Sequence, residues 1–136
     1  MTAPEPGPLS LRWLRYAQED LRAADLARRG ELVPRLACFH AQQAAEKAMK
    51  AALVLDGVGF PFSHDLRVIR NLLPDDWPAE VRSADLAQLT VWGAESRYPW
   101  SWNEPNAENA AEAATEARMV YDAIAGEFAR RGMNAE

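Results

Sequence analysis

Residues 95–103 concentrate side-chain types that bind nucleotides in proteins. The segment contains Arg97, Tyr98, Trp100 and Asn103. A guanidinium group binds phosphate through paired hydrogen bonds, and aromatic rings stack on bases. Arg97 is therefore a candidate phosphate ligand, and the other three are candidate ligand-binding residues around it. The alternative is that the aromatic rings only cover the core where the chain turns.

A second polar group is spaced for one face of a helix. His40, Gln43 and Lys47 follow one another at intervals of three and four residues, so a helix brings them into one row. Histidine exchanges protons near neutral pH, and all three side chains can bind a ligand. The alternatives are an exposed surface or a satisfied network between helices. Glu46 and Lys50 have the spacing of an ordinary helical ion pair.

The sequence argues against several other chemistries. The chain has two histidines and one cysteine without paired metal-ligand spacing, and it has no glycine-rich phosphate loop. Cys38 and His40 are two positions apart, so a helix directs them away from each other. We therefore expect no metal site, no cofactor and no cysteine–histidine nucleophile.

Composition is typical of a single globular domain. The chain has 136 residues, 49% of them hydrophobic, and a net charge of −5. Overall charge of this sign does not hold nucleic acid, so a nucleotide or RNA would need a local basic pocket. No apolar run is long enough to span a membrane, and the single cysteine indicates a reducing cytoplasm. We expect a disordered proline-rich tail over residues 1–9 and a domain over 10–131.

Helical periodicity and breakers predict an all-α fold, an up-and-down bundle of four long helices and one short helix. Ser10 is the expected N-cap of the first helix, and prolines and glycines separate the others. One face of the second helix consists almost entirely of small residues, which allow a neighbouring helix to approach closely. The expected helices cover residues 10–29, 34–56, 64–73, 78–97 and 106–131.

Several sequence blocks resemble the HEPN domain, and together they cover most of residues 10–130. The strongest block is the second-helix run CFHAQQAAEKAMKA, and its order relative to the other blocks makes the match specific. The blocks are Trp13 with Ala17–Leu21, Cys38–Ala51, His64–Leu66, Ser96–Pro99 and the alanine-rich last helix.

This resemblance implies a helical bundle that forms homodimers. It also implies a minimal nucleotidyltransferase as partner, in pairs that look like toxin–antitoxin modules. Active HEPN toxins are metal-independent ribonucleases, whose motif places a histidine four to six residues after an arginine. Arg97 matches that arginine, but no histidine follows it in the chain, and Asn103 stands where the histidine would be. Asparagine does not exchange protons near neutral pH.

We therefore interpret the chain as a dimeric binding protein for a nucleotide or RNA phosphate that works with a nucleotidyltransferase. Arg97 would be the phosphate ligand in this interpretation. One alternative is a ribonuclease toxin with a degenerate motif, in which catalytic Arg97 works with His40 or His64 as a substitute base. Another is a non-catalytic structural subunit.

Overall fold

The structure is a computed structural model that describes residues 5–95, Pro99 and residues 104–133. It has no strand in the described residues, which confirms the all-α prediction. Among these residues three helices are long rather than four, and the other three are short or of medium length. The helices are α1 (Pro6–Asp25), α2 (Pro34–Leu55), α3 (Leu66–Arg70), α4 (Glu80–Ser83), α5 (Leu86–Glu95) and α6 (Ala107–Arg130), with a 3₁₀ turn at Leu26–Arg29.

Helix α1 begins earlier than the sequence predicts. Pro6 occupies its first turn, where a missing N–H costs nothing. Ser10 is therefore not the N-cap but a buried residue inside the helix, and its hydroxyl donates to the Gly7 carbonyl at 2.7 Å. Residues 6–9, which we expected in the disordered tail, are helical. Gly30 follows the 3₁₀ turn with φ of 70°, which favours glycine.

Helix α2 is the centre of the fold and contacts α1, α5 and α6. Its bounds and its small-residue face agree with the prediction. Small side chains bring the neighbouring backbones close, which maximises the packing contacts of each helix pair. The completely buried residues of this face are Ala37, Cys38, Ala41, Ala44, Ala45, Ala48, Met49, Ala51 and Ala52.

The predicted helix over residues 78–97 is interrupted. Ala84 is extended, with ψ of 150°, and separates α4 from α5. The Asp85 carboxylate then accepts a hydrogen bond from the Gln88 backbone N–H at 3.1 Å, which starts α5 as a separate helix. The two short pieces pack against different neighbours, α4 on α6 and α5 mainly on α2.

The other short helix, α3, is also shorter than predicted. Its N-cap is Asp65, whose side chain accepts a hydrogen bond from the Arg67 backbone N–H at 3.0 Å. The Leu66 N–H donates to the Thr90 hydroxyl at 3.1 Å and so connects α3 to α5.

Helix α6 closes the bundle as predicted. Asn106 and Asn109 exchange side-chain and backbone hydrogen bonds in a capping box at its start. Its apolar stripe is buried and ends at Phe128, whose ring lies 5.8 Å from that of Trp77.

Candidate functional site

Four of the predicted ligand-binding residues, Arg97, Tyr98, Trp100 and Asn103, lie outside the described residues. The other three, His40, Gln43 and Lys47, form a half-buried row on α2.

His40 and Lys47 share one carboxylate from α1. His40 Nδ1 donates to Asp20 Oδ1 at 2.8 Å, and Lys47 Nζ donates to Asp20 Oδ2 at 2.6 Å. We call these three residues the open cluster. Because a carboxylate accepts the hydrogen bond at Nδ1, that nitrogen carries a hydrogen, and Nε2 is an acceptor in the neutral ring and a second donor in the protonated ring. The arrangement fixes both side chains at the rim of the α1–α2 packing.

The carboxyl group of Asp20 is stabilised in its charged form. Burial alone would raise its pKa, but the hydrogen bonds from His40 and Lys47 outweigh burial, so the pKa lies below the ordinary value of 3.8. Asp20 is therefore charged at neutral pH and neutralises one positive charge of the cluster.

A second carboxylate–histidine–lysine group joins Glu46 and Lys50 of α2 to His64 in the loop that follows the helix. Glu46 Oε1 accepts from His64 Nδ1 at 2.9 Å, and Glu46 Oε2 accepts from Lys50 Nζ at 3.1 Å. We call Glu46, Lys50 and His64 the closed cluster. Only 4% of the Glu46 side chain and 8% of the Lys50 side chain are exposed. The predicted Glu46–Lys50 pair thus exists, but it is a buried pair rather than an ordinary surface one.

Aromatic rings cover the lysine of the closed cluster. Lys50 Nζ lies 5.8 Å from the centre of the Trp13 ring and 5.3 Å from that of Phe60. The two rings meet edge to face, with centroids 6.4 Å apart. An ammonium group above aromatic faces is attracted by their quadrupoles, and this helps to offset its desolvation.

Gln42 connects the closed cluster to the row. Its Nε2 donates to Glu46 Oε1 at 3.1 Å and to the His64 backbone carbonyl at 3.2 Å. Its Oε1 accepts from Gln43 Nε2 at 2.7 Å. Gln42 is 1% exposed, so its bond to Glu46 is buried, whereas its bonds to Gln43 and His64 are partly buried.

Helix α5 approaches this glutamine at a glycine. A Cβ atom on Gly93 would lie 2.4 Å from Cγ of Gln42 and 2.8 Å from its Oε1. The helix backbone therefore packs directly on the Gln42 side chain. The described end of α5 thus lies beside the polar side of α2.

Metal and thiol chemistry find no support in the described part of the chain. It contains no group of three or more His, Cys, Asp or Glu side chains that could hold a metal ion. Cys38 is completely buried, and burial raises the pKa of its thiol to about 11. A thiol of this kind is not a nucleophile at neutral pH.

Comparison with protein families assigns the fold. The family model described as the HEPN domain matches residues 10–127. The chain belongs to the HEPN family. This result confirms the resemblance that the sequence blocks indicate.

Two solved structures resemble this HEPN protein over nearly their whole lengths. TT1696 from Thermus thermophilus is 26% identical, with a TM-score of 0.70, and the match covers 85% of this chain and 94% of that one. ST0689, described as an archaeal HEPN homologue, is 29% identical, with a TM-score of 0.66, and the match covers 87% and 96% of the two chains. None of the curated proteins in the comparison matches the chain.

The sequence of this HEPN protein did not reveal the hydrogen-bond partners of the polar side chains on α2. The matching blocks contain Asp20 and His64 but do not show which side chains they bind, and no pattern singles out Gly93. Asp20 lies 20 residues from His40, and Glu46 lies 18 from His64, so no local spacing reveals these pairs. The one available signal is a second polar row on α2, Gln42, Glu46 and Lys50, beside the first.

Proposed function

We infer that this HEPN protein binds the phosphate group of a nucleotide or RNA at the polar row of α2. The observation that carries the proposal is the open cluster, in which Asp20 holds His40 and Lys47 at the rim of the fold. Their nitrogen atoms are hydrogen-bond donors of the kind that phosphate oxygens accept. Because Asp20 neutralises one positive charge, Arg97 supplies the additional cation in this proposal.

The position of Gly93 supports a role for Arg97 in the same site. Gly93 packs against Gln42, next to Gln43 in the row. Arg97 follows four residues later, and four residues of extended chain span at most about 14 Å. Arg97 is therefore within covalent reach of the row, and Tyr98, Trp100 and Asn103 follow it as candidate stacking and hydrogen-bonding groups.

Binding of a labelled RNA tests this function. Fluorescence anisotropy at low salt should detect a complex with a short fluorescein-labelled oligouridylate. Arg97→Ala should weaken it about ten- to hundredfold, since a charge-assisted hydrogen bond contributes about 1.5–3 kcal/mol. Arg130→Ala, which removes an exposed arginine from α6, is the matched control and should bind like the wild type. Equal affinity of all three proteins would reject the phosphate site.

The proposal includes a homodimer. The exposed face of α5 carries Ala87, Gln88, Val91 and Ala94, and Leu86–Ala94 contains no charged residue. A two-fold interface sets the same patch of both copies in contact, so an uncharged face avoids opposing like charges. Light scattering should report a dimer, and Val91→Glu should dissociate it. Val33→Glu, at another exposed valine, is the control, and a monomeric wild type would contradict the proposal.

The remaining partner is a minimal nucleotidyltransferase, with which the protein would form a toxin–antitoxin-like pair in the cytoplasm. The family resemblance supports this partner, and the single buried cysteine fits a reducing compartment. Co-purification from the native host tests the partnership. The partnership is rejected if no nucleotidyltransferase is recovered and none is encoded beside this gene. A non-catalytic structural subunit is then the better interpretation.

A ribonuclease is the second candidate, and the Asp20–His40 hydrogen bond favours it. A carboxylate that fixes Nδ1–H leaves Nε2 oriented as a proton acceptor, as a general base requires. RNA cleavage in the presence of a chelator tests this candidate. His40→Ala should slow cleavage at least about 100-fold if His40 is the base. Intact RNA at high concentrations of the wild-type protein would reject the ribonuclease.

A further inference from the structure

Gln42 is one of three buried polar residues of α2, with Glu46 and Lys50, and its side chain bonds to Gln43 in the half-buried row. Its carboxamide makes three hydrogen bonds that only one orientation allows. Nε2 faces two acceptors, Glu46 and the His64 carbonyl, and Oε1 faces the Gln43 donor. Rotating the amide by 180° would set like groups against each other at all three contacts, so the orientation is fixed.

The fixed amide determines where Gln43 can point. Gln43 Nε2 reaches Gln42 Oε1 at 2.7 Å, which leaves the Gln43 carbonyl and its second N–H for other partners. Gln43 is also one of the three row residues of the proposed phosphate site. A change in the Gln42 amide therefore moves a ligand-facing group without touching the ligand.

Gly93 supplies the space that this amide occupies. The Cβ of any other residue would overlap Cγ, Cδ and Oε1 of Gln42, at 2.4, 2.5 and 2.8 Å. Gln42 could yield only by breaking its bonds to Glu46 and Gln43. By contrast, a Cβ on Gly126, inside α6, would meet only Arg130 Nη1 at an ordinary 3.7 Å.

We propose that Gln42 is a positioning residue of the phosphate site, and that Gly93 keeps its amide in place to orient Gln43. This inference rests on the proposed function. In this inference Gln42 connects the closed cluster and the α5 backbone to Gln43, and so determines the position of Gln43 in the half-buried row.

Binding of the labelled oligouridylate tests the positioning role. Gln42→Met preserves the side-chain volume but removes the acceptor for Gln43. We expect its Kd to rise about fivefold, the equivalent of one hydrogen bond. The NMR resonances of the Gln43 side-chain amide should also shift, which a merely structural role of Gln42 would not require. Wild-type affinity in Gln42→Met would overturn the proposal.

Melting temperatures test the contact with Gly93. Alanine is the better helix former, so Gly126→Ala should raise Tm by about 3 °C and leave RNA affinity unchanged. Gly93→Ala should lower both Tm and affinity, because the added methyl group displaces the Gln42 amide. In the background of Gln42→Ala the same substitution should no longer lower Tm, because the obstructing side chain is gone. A rise in Tm with Gly93→Ala in the wild-type background would overturn the proposal.

The two proposals fail in different ways. A wild-type protein that binds no oligouridylate rejects the phosphate site. The Gln43 amide resonances and the Tm comparison are independent of any ligand. Unchanged Gln43 resonances in Gln42→Met would then reject the positioning role as well.

Discussion

The closed cluster and the open cluster each join a carboxylate, a histidine and a lysine at α2, but they differ in what covers them. In the closed cluster 4% of the Glu46 side chain and 8% of the Lys50 side chain are exposed. In the open cluster the corresponding values are 12% for Asp20 and 25% for Lys47. The histidines have the opposite order, with 49% of His64 and 31% of His40 exposed, so the two clusters differ in their carboxylates and lysines. The loop between α2 and α3 contributes His64 and Phe60 to the first cluster, whereas the hydrogen bonds of the second join α1 and α2 alone.

This difference separates structural from functional use of one chemistry. Glu46 accepts from three side chains, Gln42, Lys50 and His64, so its lone pairs are largely committed inside the protein. Desolvated charges of this kind tie the fold together, because removing one leaves the others unpaired. Asp20 holds its two partners at the rim, where water reaches them. We therefore expect mutations in the closed cluster to affect folding alone, and mutations of His40 and Lys47, the two partly exposed partners of Asp20, to affect binding.

The largest effect is expected for Glu46→Ala. It leaves the Lys50 ammonium buried without its counter-ion, so the free energy of unfolding should fall by about 3–5 kcal/mol. Urea denaturation measures this change. Replacing both charges, as in Glu46→Leu/Lys50→Met, should recover most of the stability, because no unpaired buried charge remains. If the double variant is less stable than Glu46→Ala, the loss has another cause.

The next effect is a pH dependence of Asp20→Asn. The folded-state pKa of Asp20 lies below 3.8, so its charged form stabilises the protein above that pH. This contribution is lost as the pH falls below 3.8 and through the folded-state pKa. At about pH 6 the variant should be less stable by about 1.5–3 kcal/mol, the range for hydrogen bonds to charged groups.

Urea titrations of Asp20→Asn and the wild type, at a series of pH values from about 6 down to about 2, measure this difference. Other carboxylates titrate in both proteins, so their contributions cancel when the two are subtracted. The difference should shrink towards zero at the lowest pH. A difference that does not change with pH would show that Asp20 acts through packing rather than through its charge.

Much of the fold followed from the sequence because its signals are local. The small-residue face of α2 and the stripe of α6 are periodic, and Pro34 and Asn106 mark helix starts. The sequence does not predict the helix break at Ala84, because no glycine or proline lies there. The break arises because α4 and α5 pack against different neighbours. Tertiary packing of this kind overrides a continuous helical pattern in the sequence.

The candidate site was only half predictable for a related reason. The row of His40, Gln43 and Lys47 could be read from helical spacing. The division of α2 into an open and a closed polar row could not, because His64, the loop residue that bonds to Glu46, is 18 residues away along the chain. Residue types alone also gave no means to tell a buried Glu46–Lys50 pair from an exposed one.

Histidine substitutions should separate the clusters by function. His40→Ala removes a rim donor and should weaken oligouridylate binding about fivefold, the equivalent of one hydrogen bond. His64→Ala removes one of three donors to Glu46 and should lower the free energy of unfolding by about 1 kcal/mol with little change in affinity. Anisotropy and urea denaturation on both variants test the distinction. Equal loss of affinity in the two variants would contradict it.

The smallest effect concerns the salt dependence of binding. Each lysine that contacts a phosphate adds about one unit to the negative slope of log K against log salt concentration. Lys47→Ala should therefore reduce that slope by about one unit, whereas Lys50→Met should leave it unchanged, because Lys50 is 8% exposed and faces Trp13 and Phe60. Because Lys50→Met leaves Glu46 buried without its counter-ion, its control for stability is Glu46→Leu/Lys50→Met, which also retains the apolar contacts with the rings and should show the same slope. A reduced slope in Lys50→Met and not in Lys47→Ala would reverse the assignment of the two clusters, because the phosphate would then contact the lysine that the fold buries.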